Sequence, residues 1–122
     1  MKIYNGIDMV EIERFFRLKP AILKRFIQRV LTCAEQAEVG GSMEKLAGKF
    51  AAKEAAAKAL GCGIGEMKWV DIEILSDVNG RPEIRFHNVA ENIITRLRVI
   101  HKSVSISHTQ SQAIAMVILL GE

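Results

Sequence analysis

The sequence predicts an α+β fold: a single domain in which an antiparallel sheet packs against a long central helix and shorter helices. Three observations carry this. Residues 50–60, Phe-Ala-Ala-Lys-Glu-Ala-Ala-Ala-Lys-Ala-Leu, are mostly strong helix formers with neither Pro nor Gly. Val70-Asp71-Ile72-Glu73-Ile74 and Ile84-Arg85-Phe86 alternate apolar and polar residues around an Asn79-Gly80 turn signal, the pattern of an antiparallel hairpin. Near the C-terminus, Val104, Ile106 and His108 alternate with Ser103, Ser105 and Ser107, and a second strand follows over residues 113–120.

Taken in order, residues 3–12 read as the first strand, with Tyr4, Gly6, Asp8, Val10 and Ile12 sharing one face. Asp8 is out of character in mid-strand. A loop position, a cap or an inward charge on an edge strand would also explain it. Pro20 suits the first turn of a helix whose apolar face is Ile22, Leu23, Phe26, Ile27, Val30 and Leu31. Thr32-Cys33-Ala34-Glu35 has capping-box spacing, so a short helix starts there and ends at Gly40-Gly41. Ser42 caps the central helix and Gly61 ends it in a left-handed conformation, which places it at Met43–Leu60.

That helix has little polar surface. Leu46, Phe50, Ala57 and Leu60 share a stripe, Ala fills most other directions, and Lys53 falls inside the stripe with Glu54 at its margin. Pro82 fits an edge or first position of its strand. Asn88-Val89-Ala90-Glu91 has the form of a cap for a helix with the stripe Val89, Ile93, Ile94, Leu97 and Ile100. Residues 113–120 are apolar throughout, which predicts a strand buried on both faces, although a helix of that length has the same composition.

With 122 residues and 49% hydrophobic content, the chain is expected to form one domain over residues 1–122. No stretch has the form of a secretory signal, and the longest apolar run falls far short of the roughly 20 residues of a membrane span. The expected location is the cytoplasm, with no membrane partner. Cys33 and Cys62 match neither a metal spacing nor a disulfide framework and read as free thiols. The net charge is only +3, yet from Arg14 to Ala34 there are six basic residues and no acidic one. Such a stretch calls for a polyanion, either nucleic acid or an acidic protein.

The chemistry-bearing residues are few. Asp8 and Glu54 are the two carboxylates most oddly placed for solubility alone, and a pair of carboxylates is how magnesium is commonly held beside substrate phosphates. Lys58, one turn after Glu54, fits a phosphate partner. It equally fits an ordinary helix ion pair, worth about 0.3–0.5 kcal/mol when exposed. Lys49 and Lys53 are like charges one turn apart, a spacing that an anion would relieve. His108 fits either a phosphate donor or a satisfied structural histidine. The Gly61-x-Gly63-x-Gly65 loop follows a helix, the wrong order for a dinucleotide fingerprint, and reads as a turn.

Gly6-Ile7-Asp8, together with the run from Phe50 to Gly61, resembles the two signature motifs of phosphopantetheinyl transferases. Leu31-Thr32-x-x-Glu35, Asn79-Gly80-Arg81-Pro82 and Val104-Ser105-Ile106-Ser107-His108-Thr109 are similar to the small holo-acyl-carrier-protein synthase branch, and the resemblance spans essentially the whole chain. It implies transfer of the 4′-phosphopantetheine arm of coenzyme A to a serine of an apo acyl carrier protein, with adenosine 3′,5′-bisphosphate as the other product. It further implies that Asp8 and Glu54 hold magnesium on the coenzyme A pyrophosphate and that Lys58 contacts the phosphates. The resemblance makes Glu54, directly or through a metal-bound water, the candidate base for the serine proton, and Asp8, Glu54 and Lys58 together would form the catalytic set. Lys49 and His108 would approach the 3′-phosphate of coenzyme A, and the backbone near Gly61 its pyrophosphate. Arg14, Arg25, Phe26 and Arg29 would dock the acidic helix of the carrier protein, and the family's homo-trimeric assembly would place active sites between subunits.

Two other readings stand beside this one. A basic binding module would hold nucleic acid without metal, although no aromatic stacking platform is evident. An inactive relative would bind coenzyme A without turnover. Lys49 also stands where the family usually has Arg, Cys62 where Thr or Ser is more frequent, and the segment between Thr32 and Leu46 is shorter than in some relatives.

Overall fold

The computed structural model describes all residues, 1–122. In chain order the elements are β1 (Lys2–Glu11), α1 (Glu13–Phe16), α2 (Pro20–Val30), α3 (Cys33–Val39), α4 (Met43–Leu60), a 3-10 turn (Trp69–Asp71), β2 (Ile72–Ser76), β3 (Pro82–Phe86), α5 (Asn88–Arg96), β4 (Val99–His108) and β5 (Gln112–Gly121). β5 lies between β1 and β4 in a three-stranded antiparallel sheet, and β2 and β3 form a separate antiparallel pair. Helix α4 packs across β1 and β5, and the expected α+β class holds.

Helix boundaries follow the caps. Thr32 Oγ1 accepts from the Glu35 backbone N–H at 3.2 Å while Glu35 Oε1 accepts from the Thr32 N–H at 2.9 Å, so both halves of the capping box are formed. Thr32 also donates to Glu73 Oε2 at 2.7 Å, tying α3 to β2. Thr32→Ala is therefore expected to cost about 1–2 kcal/mol, read as a lower midpoint in urea unfolding. Ser42 accepts from the Lys45 N–H to start α4, and Gly61 at φ 76° ends it. Thirteen of the 18 residues of α4 are buried, as its missing polar face predicts.

Strand β1 lies unusually close to helix α4 at Gly6. A Cβ at Gly6 would lie 1.9 Å from the Ala55 carbonyl oxygen and 2.8 Å from the Ala59 nitrogen, so strand backbone lies directly on helix backbone. Ala51, Ala52, Ala55, Ala56 and Ala59 keep the helix surface low enough for this contact. Two residues beyond Gly6, on the same strand face, comes Asp8.

Four expectations need correction. The hairpin's first strand starts at Ile72 because the buried Asp71 carboxylate turns back to accept the Lys68 N–H at 3.0 Å, making a 3-10 turn of Val70 and Asp71. Asn88 is not a cap. It is the first residue of α5, at φ 51°, and its side chain donates to Asp71 Oδ1 at 3.2 Å. Ile100 leaves the helical stripe because Arg98, at φ 56°, turns the chain into β4, which begins at Val99. Finally, β5 is not buried on both faces within one chain. Ala113, Ala115, Val117 and Leu119 pack inward, whereas Ile114, Met116 and Ile118 are exposed beside Ile3, Ile7 and Met9 of β1.

Candidate active site

Backbone contact at Gly6 brings the first strand's carboxylate to the central helix. Lys58 Nζ donates to Asp8 Oδ1 at 2.9 Å and to the Ile7 carbonyl oxygen at 2.9 Å. The ordinary helix ion pair with Glu54 is thus not the one formed; Lys58 reaches across to the strand. Asp8 holds the Lys58 ammonium above the ordinary lysine range.

Glu54 stands beside the same carboxylate. Burial raises its pKa above the usual 4.5 and the neighbouring Asp8 carboxylate raises it further, while Arg14 and Lys58 pull it down. Two neighbouring carboxylates offer oxygen donors to a hard cation. No third His, Cys, Asp or Glu joins them in a metal-ligating group, so the protein offers two oxygen donors and leaves the remaining positions to phosphate oxygens and water. That donor set fits magnesium and not a closed structural zinc site.

The space in front of the cluster is a cavity of about 220 Å³ lined by Glu54, Ala57, Lys58, Cys62, Ile64 and Trp69. Trp69 packs against Phe50 with the rings tilted, 5.1 Å between centroids. The same aromatic cluster takes in Phe26, 5.1 Å from Phe50, and Phe15, 5.3 Å from Phe26. The Arg14 guanidinium lies over Phe15 and Phe50 at 5.5 and 5.7 Å, which aims a positive charge toward Glu54. Neither the Trp69 wall nor this seat for Arg14 is read from the sequence. A single Trp close to a Gly-rich loop was the only signal for the first, and nothing local marked the second.

A second cavity, about 210 Å³, lies at the other end of α4 between Lys45, Gly48, Lys49, Ser76, Gly80, Pro82, Ile106 and His108. Lys49 is buried and donates to Glu38 Oε1 at 2.8 Å and to the Ile74 carbonyl oxygen. His108 is exposed, with Nδ1 3.4 Å from the Thr109 carbonyl oxygen. Lys45, exposed and one turn before Lys49, lines the same space and was not singled out from sequence. Burial pushes Glu38 up, but hydrogen bonds from Lys49 and Ser76 outweigh it and hold this carboxylate below its ordinary range.

The remaining predicted residues sit apart from the carboxylates. Gly61 is the exposed left-handed terminus of α4, three residues after Lys58. Arg25 and Arg29 project from α2 into solvent, whereas Phe26 gives most of its ring to the aromatic cluster. The large apolar side chains exposed on that segment are Phe16 and Ile22. Lys53, one residue before Glu54, is fully buried against Glu35 and takes no part in either cavity.

Comparison with known proteins gives this geometry a context. The sequence model of the 4′-phosphopantetheinyl transferase superfamily matches residues 5–117. A holo-[acyl-carrier-protein] synthase of Alkaliphilus oremlandii is 45% identical over 120 residues, covering 94% of this chain and 96% of its own length. Among solved structures, a Helicobacter pylori holo-[acyl-carrier-protein] synthase in complex with coenzyme A superposes with a TM-score of 0.85 at 32% identity, over 95% of this chain and 99% of that one. An ACPS–CoA complex of Chronobacterium ammoniagenes does so with a TM-score of 0.87 at 25% identity, over 100% and 99%. Match and fold run the length of the chain, through Gly6-Ile7-Asp8 and the central helix alike, and this chain belongs to the 4′-phosphopantetheinyl transferase superfamily.

Proposed function

We infer that this protein is a holo-[acyl-carrier-protein] synthase, which transfers 4′-phosphopantetheine from coenzyme A to a serine of an apo acyl carrier protein. The observation that carries the reading is the meeting of Asp8, Glu54 and Lys58 at a β1–α4 contact that only glycine allows. In the reaction the serine oxygen bonds to the phosphorus bearing the pantetheine arm, and the bond from that phosphorus to the bridging pyrophosphate oxygen breaks. Adenosine 3′,5′-bisphosphate leaves with the bridging oxygen. Such transfer depends mainly on position and on neutralising charge.

Asp8 and Glu54 would hold magnesium, which when bound offsets the charge of the pyrophosphate. Lys58 is aimed by Asp8 and the Ile7 carbonyl oxygen, keeps its proton through the Asp8 charge, and faces the leaving phosphate. Glu54, directly or through a metal-bound water, takes the serine proton. Lys45, Lys49 and His108 line the cavity that would receive the 3′-phosphate, where Glu38 pairs with Lys49 and Glu44 also stands, and the chain near Gly61 would approach the pyrophosphate. The acid-free stretch from Arg14 through α2, with Arg14, Arg25 and Arg29 and the exposed Phe16 and Ile22, suits an acidic amphipathic helix, with charge setting the encounter rate.

Assembly completes the reading. The outer face of the β1–β5–β4 sheet exposes Ile3, Ile7, Met9, Ile114, Met116 and Ile118, with Ile7 opposite Met116 and Met9 opposite Ile114. A contiguous apolar face of this kind marks an interface, and it accounts for a β5 sequence that reads as buried on both sides. We assign it to a homo-trimer. Sedimentation of the wild type should give three chains, and Met116→Asp should give one; a monomeric wild type contradicts the assignment. Coenzyme A, a carrier protein and two free cysteines suit a cytoplasmic enzyme, and no helix is long and apolar enough to cross a membrane. Activity itself is tested by intact-mass spectrometry of an apo carrier protein incubated with enzyme, coenzyme A and magnesium. The serine should gain phosphopantetheine, and an unchanged carrier mass contradicts the reading.

A further inference from the structure

Helix α4 carries a second ionic arrangement that the reaction does not use. Lys53 and Glu35 are both 0% exposed. Lys53 Nζ donates to Glu35 Oε1 at 2.6 Å and to three backbone carbonyl oxygens: Val30 at 2.8 Å, Trp69 at 3.1 Å and Ile72 at 2.6 Å. Glu35 in turn accepts the Thr32 N–H through Oε1 and the Ile74 N–H, at 2.8 Å, through Oε2. Burial pushes the Lys53 ammonium below the ordinary lysine range and the Glu35 charge pulls it back.

Stability alone is a weak reason for such a pair, since well-packed apolar residues often serve a buried site equally well. Its contacts show what it can do beyond that. Val30 is the last residue of α2, the helix that carries Arg25 and Arg29. Trp69 walls the cavity of Glu54 and Lys58. Between the two runs an open groove of about 440 Å³, with Gln28 and Arg29 on one side and Ile64, Met67 and Trp69 on the other. The ammonium of Lys53 bonds to both sides of that groove, from the residue next to Glu54 in the chain. Edge-on and tilted ring contacts among Phe26, Phe50 and Trp69 also span the region, but they are not directional in the way of an ammonium whose three N–H groups are shared among four surrounding oxygens.

We propose that Lys53 and Glu35 are positioning residues for transfer: their buried pair holds α2 and the Trp69 wall at the spacing that delivers the carrier's serine to Glu54. This rests on the reading of α2 as the docking helix. A misplacement of about 1 Å far from the chemistry can cost about 100-fold in rate, so the spacing has catalytic weight.

Two mild variants test it. Glu35→Gln keeps shape and an acceptor oxygen while removing the charge; Lys53→Arg keeps the charge but brings a longer, planar donor that must push the walls apart. Both should unfold cooperatively and bind coenzyme A with wild-type affinity and stoichiometry, while kcat for the carrier, per coenzyme A site, falls roughly 10- to 100-fold. A merely structural pair would lower the number of coenzyme A sites and leave turnover per site unchanged, which overturns the proposal, as does failure of both variants to fold. A third variant, Arg25→Glu with Arg29→Glu, checks the underlying reading and should raise the carrier KM. If that KM is unchanged, the docking reading fails and takes the proposal with it. If it rises while Glu35→Gln and Lys53→Arg turn over normally, positioning alone is wrong.

Discussion

Replacing Asp8 or Glu54 by alanine is expected to lower phosphopantetheine transfer by about 1,000-fold or more, equivalent to roughly 4 kcal/mol of transition-state stabilisation. Each carboxylate supplies half of the oxygen donors that the protein presents at the site, and no other acidic side chain stands ready to substitute. Lys58→Ala should lose less, about 100-fold, because it removes one of the cationic partners of the phosphates. Rates are read by mass spectrometry of the carrier under saturating coenzyme A and magnesium.

Glu54→Gln separates function from stability. A carboxyl whose folded-state pKa is raised favours the folded state while it is protonated, and that advantage is lost as pH rises through the folded value. At neutral pH the charged Glu54 therefore works against folding, by desolvation and by repulsion from Asp8. Glu54→Gln should raise the melting temperature of metal-free protein at pH 7, bring no gain below the carboxylate range, and abolish transfer. Added magnesium should raise the melting temperature of the wild type more than that of the variant.

Gly6→Ala is the largest stability effect expected. A Cβ 1.9 Å from the Ala55 carbonyl oxygen meets backbone, not a flexible side chain, so either the strand or the helix must move. The cost should be about 3 kcal/mol or more, seen as a fall of roughly 10 °C or more in the melting temperature. Any folded fraction should also bind coenzyme A poorly, because lifting β1 from α4 carries Asp8 away from Glu54 and Lys58. By contrast, Gly61→Ala meets no atom within 4 Å, and its cost is confined to the positive φ.

The residues most legible in the sequence were those whose local rules agree. Thr32 and Glu35 stand at capping-box spacing, Ser42 and Gly61 bracket an uninterrupted helix-forming run, and Met43–Leu60 emerges with the expected bounds. Asp8 and Glu54 were conspicuous because each is a charge at a position that its element would fill with an apolar residue. Their pairing as a magnesium half-site follows from that shared oddity, and the family resemblance assigns the same pair. What local reasoning missed lies in contacts between distant segments. Asp71 sits in an alternating pattern that promises a strand, yet its carboxylate bonds the Lys68 backbone and delays the strand until Ile72. Lys49 read as an anion-binding charge and is buried with Glu38, eleven positions away. Lys53 pairs with Glu35, a residue of the capping box, and the box spacing explains only one of the three hydrogen bonds to that carboxylate. Phe26 likewise read as a free anchor because helical periodicity cannot show that Phe15, Phe50 and Trp69 converge on one ring cluster.

The central claim is that Asp8 and Glu54 form one cation site facing the pyrophosphate of coenzyme A. Anomalous scattering from crystals grown with coenzyme A and manganese, in place of magnesium, locates the ion directly. The account predicts a single strong peak within ligand distance of both carboxylates and of a pyrophosphate oxygen. A peak bound elsewhere, or a fully bound coenzyme A with no peak between Asp8 and Glu54, would contradict it.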